Sequence, residues 1–130
     1  DLLKLLDLSK NLLNNLYDFT FKDLKNLEFL NLRSNYLEYL NKELFSTLYS
    51  LLILDLTNNP IRFIESYSFQ NLNLLLELHL NSNFSIIKTE ILFGLNEIKF
   101  ISMSNYSNFE SKDAEFVKMA IGTRKYKRLE

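Results

Sequence analysis

Asp7, Asp55 and His79 are the residues in this sequence whose types could support acid–base or metal chemistry and whose positions fall in one phase of its pattern. Two carboxylates can share the work of general acid and general base when burial keeps one of them protonated. An imidazole beside a carboxylate can hold a metal ion, but two ligands fall short of a site. His79 is the only histidine, and there is no cysteine, so thiol nucleophiles, thiolate metal sites and a disulfide framework are all excluded. Fifteen cationic residues against 16 acidic ones leave a net charge of −1, so no global field gathers nucleic acid or an anionic membrane around the chain. The one concentrated basic patch is Arg124, Lys125, Lys127 and Arg128, interleaved with Tyr126, and such runs are usually solvated ends. Asn-x-Ser sequons occur at Asn83 and Asn105. Apolar runs are only a few residues long, so no transmembrane segment is expected.

What positions these residues is a repeat. The frame Leu, two residues, Leu, one residue, Leu, two residues, Asn begins at Leu3, Leu27, Leu51 and Leu75, a period of 24 residues. A fifth frame, Ile98-Ile101-Met103, starts one residue early and carries Tyr106 where Asn is expected, so the ladder is ending there. Ten residues after each Asn stands a Phe: Phe21, Phe45, Phe69 and Phe93. Leu6 and Leu8 face one way and Asp7 the other, the period of a short half-buried strand. Strands this far apart cannot be joined by hairpins, so successive copies stack in parallel as coils of a solenoid. Asn11, Asn35, Asn59 and Asn83 then form a structural ladder, because an amide side chain can satisfy backbone groups where the chain leaves the strand. The Phe column fills the far wall of the core as a stacked spine.

Four consecutive frames carrying both an Asn and a Phe column resemble the leucine-rich-repeat proteins, in the 24-residue type common in receptor and adhesion ectodomains. The resemblance covers about residues 1–105. It implies a right-handed α/β solenoid with a short parallel β-sheet on the concave face and an irregular convex side, in a family used mainly for protein recognition. It also implies an extracellular or cell-surface location. The cysteine-rich caps of the better-known extracellular members are missing, and a chain without cysteine equally fits a reducing compartment such as the cytoplasm.

The ends need cover, because a terminal coil has a neighbour on one side only. Residues 1–110 are expected to form the solenoid, about four and a half repeats, and 111–123 a C-terminal capping helix. Ser111 would be its N-cap, Asp113 and Glu115 its first turn, Gly122 its stop, and Phe116, Val117, Ala120 and Ile121 its apolar face. Residues 124–130 form a basic tail. The first strand brings Leu2, Leu3, Leu5, Leu6 and Leu8 to an uncovered edge, which suggests a missing cap or self-association.

On the strand face the outward residues form columns about 4.8 Å apart from coil to coil. The first is Leu5, Phe29, Ile53, Glu77 and Phe100. The second is Asp7, Asn31, Asp55, His79 and Ser102, and the third Ser9, Arg33, Thr57, Asn81 and Ser104. Asp7 and Asp55, two strands apart, would lie about 9.6 Å from each other, at the edge of an inverting pair's separation. An open sheet face does not desolvate them, so no catalysis, metal or cofactor is expected. An apolar stripe beside a polar one suits a protein interface. The expected function is a protein-binding module that uses Phe29, Arg33, Ile53, Asp55, Glu77, His79 and Phe100. The alternative is a self-associating piece of a larger repeat receptor that uses its N-terminal edge.

Overall fold

A computed structural model describes residues 2–81 and 89–104. In chain order they form β1 (Leu5–Asp7), β2 (Phe29–Asn31), β3 (Tyr39–Leu40), β4 (Ile53–Asp55), β5 (Phe63–Ile64), β6 (Glu77–Asn81), one 3-10 turn (Thr89–Leu92) and β7 (Phe100–Ser104). β1, β2, β4, β6 and β7 make one parallel sheet in that order, and β3 and β5 make a second parallel pair. Each sheet-to-sheet circuit is one coil, so the chain is a parallel-strand solenoid.

Registry follows the repeat: Leu6, Leu30, Leu54, Leu78 and Ile101 are paired across the five strands. From Leu30 onward this column is buried, as is the row Leu27, Leu51, Leu75 and Ile98 that opens each coil. Phe21, Phe45 and Phe69 line the far wall, their rings stacked at 6.3 and 6.0 Å between centroids. Large rings contribute the most apolar area per position, and in-line stacking lets one side chain per coil close that wall.

Two of the ladder asparagines are buried and bridge coils. The Asn35 amide nitrogen donates to the Leu32 carbonyl of its own coil at 2.9 Å and to the Leu8 carbonyl of the preceding one at 3.0 Å, while its oxygen accepts the Leu13 N–H. Asn59 repeats the pattern with Leu56, Leu32 and the Leu37 N–H. Asn11 differs from the expectation. It bonds only within its own coil, to the Leu8 and Ser9 carbonyls, and is exposed, because among the described residues no coil lies on its outer side. Asn83 lies outside the described residues.

The spine also needs a correction: Phe93 is 62% exposed and rests edge-on against Tyr67. The fourth repeat is one residue short, so Leu92, buried, takes the place of the fourth ring. The Leu95 N–H bonds to the Leu92 carbonyl as the Leu72 N–H does to that of Phe69. Gly94 completes the tight passage at φ +93°, where a Cβ would come within 2.2 Å of the Gln70 carbonyl oxygen. The expected capping helix at 111–123, the basic tail and Asn105 lie outside the described residues. No helix among the described residues is long and apolar enough to cross a membrane.

The second sheet carries a surface array that the leucine pattern does not announce. Tyr39 and Phe63 stack at 5.5 Å, both largely exposed, and the Tyr39 hydroxyl donates to Glu65, which also accepts the Lys42 N–H at 2.7 Å. These bonds hold the Glu65 carboxyl below its ordinary value, the tyrosine hydroxyl being the largest cause.

Three outcomes are expected. Asn59→Ala strips four hydrogen bonds from buried or half-buried backbone groups and should lower unfolding stability by about 1–3 kcal/mol, measurable by urea denaturation. Phe45→Ala should cost about 3–5 kcal/mol, whereas Phe93→Ala should cost under about 1 kcal/mol; comparable losses would place Phe93 in the core. Since the folded Glu65 carboxyl is shifted down, its contribution is present above about pH 4.5 and fades as pH falls further. The stability gap between wild type and Glu65→Gln should therefore be widest near neutrality and close on acidification.

Candidate binding face

The outward side of the five-stranded sheet brings the expected columns together. Phe29 pairs with Ile53 and Glu77 with Phe100 in the first, and Asp55 pairs with His79 in the second. Phe29, Ile53, Glu77 and Phe100 are half-buried, Leu5 is exposed at the sheet's edge, and Arg33 is exposed just past β2. Strands of three to five residues carry one or two such positions each, so the face is built by stacking coils and not by lengthening strands.

The second column has a local task that its residue types announce. Asp7, Asn31 and Asp55 each accept, through Oδ1, the N–H of the residue two ahead: Ser9 at 2.9 Å, Arg33 at 3.0 Å and Thr57 at 2.9 Å. This Asx turn ends each strand, and the next residue, Lys10, Ser34 or Asn58, takes a positive φ of 55–57°. Only Asn58 is of a type that enters this region readily; the bend is imposed at the other two by the coil around them. Acidic or amide residues three places before Lys10, Ser34 and Asn58 are the sequence signal for this turn.

The Asp7 carboxyl is held below its ordinary range by the Ser9 hydroxyl first and the Ser9 backbone N–H second. A general acid needs the opposite shift. Asp55 is likewise occupied, accepting from the Thr57 hydroxyl at 2.6 Å. Both nitrogens of His79 are engaged as well, Nδ1 with the Ser102 hydroxyl at 2.9 Å and Nε2 with Glu77 at 3.1 Å, while its ring leans on Phe100 at 5.4 Å. Among the described residues there is no group of three or more His, Asp or Glu side chains able to hold a metal. Glu77, His79, Phe100 and Ser102 thus form one connected cluster on β6 and β7, next to Asp55 on β4. Arg33 stands apart from it, just past β2.

Thr47 and Asn71 on the opposite wall reach back to the Phe21 and Ser46 carbonyls of the preceding coil. They are a second set of bridges that the leucine frame did not reveal, and they mark that wall as structural.

A family model described as leucine rich repeat matches residues 1–61. No curated protein matches the chain. Among solved structures, the chain is similar to TLR13 in the TLR13-ssRNA13 complex, at 29% identity and a TM-score of 0.73 over 77% of its length. It is also similar to a structure of the Toll–Spatzle complex of Drosophila, at 28% identity and a TM-score of 0.64 over 77%. It spans 14% of the length of each of those chains. Matched frame, stacked coils and shared backbone agree: the chain carries leucine-rich repeats, matched by the family model over residues 1–61 and continued in the same coils beyond.

Proposed function

We propose that the chain is a recognition module that binds a protein ligand on its strand face, the concave side of a right-handed coil. Phe29, Arg33, Ile53, Asp55, Glu77, His79 and Phe100 supply the contacts. The observation that carries this reading is the in-register first column, where Phe29, Ile53 and Phe100 remain partly accessible on a rigid sheet beside charged neighbours. Aromatic anchors next to an arginine are the composition from which interface energy is usually built. Rigid placement also lowers the ordering cost of binding.

The solved neighbours are titled as complexes with an ssRNA in one case and with the Spatzle protein in the other. The charges here favour the polypeptide. Among the described residues of this face, Asp7, Asp55 and Glu77 outnumber Arg33 and Lys10, the latter near Asp7, and a surface of that net sign repels phosphate.

A partner purified from the chain's source extract should lose about a hundredfold in affinity for the double variant Phe29→Ser with Arg33→Glu, two anchor positions at once. The far-wall variant Tyr49→Ser should bind as wild type does. Equal affinity of the double variant and wild type, by calorimetry, would remove the strand face as the site. Binding of a single-stranded RNA that weakens steeply with salt would overturn the polypeptide assignment.

A further inference from the structure

His79 is the only histidine of the chain, and it stands on β6 between β4 and β7, in the middle of the strand face. An ionised Glu77 can only accept, so the 3.1 Å contact between its carboxylate and Nε2 requires a proton on that nitrogen. Nδ1 then carries the lone pair of a neutral ring and accepts the Ser102 hydroxyl at 2.9 Å. One neutral tautomer therefore satisfies both neighbours, and Phe100 flanks the ring at 5.4 Å. The imidazole is pinned across two strands, yet its side chain keeps 25% exposure, so solvent protons and a bound partner both reach it.

A second proton can enter only at Nδ1, and its neighbours accept it without moving the ring. The Ser102 hydroxyl turns from donor to acceptor, and the imidazolium stays on the Glu77 carboxylate as an ion pair. Across the sheet the residue in register with it on β4 is Asp55, while β7 brings Phe100 and Ser102 and no charged group. Protonation thus changes the charge of the face and not its shape. Among the described residues of the face, Asp7, Asp55 and Glu77 against Arg33 and Lys10 leave one net negative charge when His79 is neutral and none when it is charged. Carboxylates ordinarily titrate near about pH 4 and lysine and arginine above about pH 10. Between about pH 5 and 8 an imidazole is the side chain that changes charge.

With the strand face as the binding site proposed above, on which this inference rests, we infer that His79 is its proton switch: a polypeptide segment of net positive charge docks over β4, β6 and β7 when His79 is neutral, and protonation of His79 releases it. The sign follows from linkage. A cationic partner beside the ring disfavours the imidazolium, so the complex holds that proton less tightly than the free chain does. Affinity is then full above the imidazole range and falls as pH drops through it.

The test uses a synthetic peptide of alternating lysine and phenylalanine, blocked at both ends so that its own charge stays constant across this range. By calorimetry it should bind the wild-type chain about three- to tenfold more weakly at about pH 5.5 than at about pH 7.5, the effect of one added charge at a partly exposed site. As the chain has a single histidine, its imidazole proton resonance can be followed directly, and the titration midpoint should fall when the peptide is bound. His79→Gln keeps hydrogen-bonding groups for Glu77 and Ser102 but takes no charge, and should give the same affinity at both pH values. Phe29→Ser with Ile53→Ser should weaken the peptide at both. If that double variant binds as wild type does, the peptide sits elsewhere, and the strand-face reading falls together with this inference. If it binds more weakly, but wild type shows no pH dependence or His79→Gln retains it, the strand face stands and the proton switch is overturned. Failure of the peptide to bind at about pH 7.5 overturns the cationic partner.

Discussion

A buried amide that spans a coil boundary is the constraint on which the rest of this molecule depends. Where a strand ends and the chain turns away, several carbonyls and N–H groups can no longer pair with the neighbouring strand, yet they lie too deep for water. Asn35 and Asn59 satisfy them by donating to two coils at once and accepting from one, so each asparagine fixes both the turn of its own coil and the height of the coil beneath. An unsatisfied group at that depth costs about 1–3 kcal/mol. Asn35 and Asn59 stand 24 residues apart, and the coils they join repeat at that interval. The leucine rows, the stacked rings and the strand register all inherit that spacing.

The same constraint explains where the pattern gives way. Between the fourth and fifth frames one residue is missing, and the core keeps its geometry by changing which side chain enters it. Leu92 takes the interior place, Phe93 swings out onto Tyr67, and Gly94 accepts a backbone conformation and a closeness to Gln70 that a larger residue could not. Packing is therefore set by position along the coil, and residue type adapts to it.

The proposed binding face occupies the positions that the core leaves unused. Each strand offers its outward side chains to solvent, and stacking turns single positions into columns. Part of those columns is already committed to architecture: Asp7, Asn31 and Asp55 close the turns that end their strands. The Phe29, Arg33 and Ile53 side chains are not part of those turns, while Glu77, His79, Phe100 and Ser102 are tied to one another across β6 and β7. The recognition surface proposed for this face thus shares its columns with turn chemistry, in which Asp7 and Asp55 already have a structural task.

Coil architecture, the parallel sheet, the inward leucines and the identity of the outward columns were legible in the sequence, because a strict period forces equivalent residues into equivalent places whatever the details. The bridging role of Asn35 and Asn59 was legible for the same reason. Several features were not. The exposure of Phe93 depends on a one-residue slip whose absorption is decided by packing around Leu92 and Gly94. Exposure of Asn11 goes with there being no coil on its outer side among the described residues, and the stacked pair Tyr39–Phe63 with its Glu65 bond arises from side chains that meet only once two coils lie side by side. Which outward side chains are engaged with neighbours was likewise decided by tertiary contacts, since a hydrogen bond to a residue two places ahead or one coil away leaves no trace in composition. Periodicity is a property of the chain and can be read along it; occupancy of each position is settled only when neighbouring coils compete for the same space.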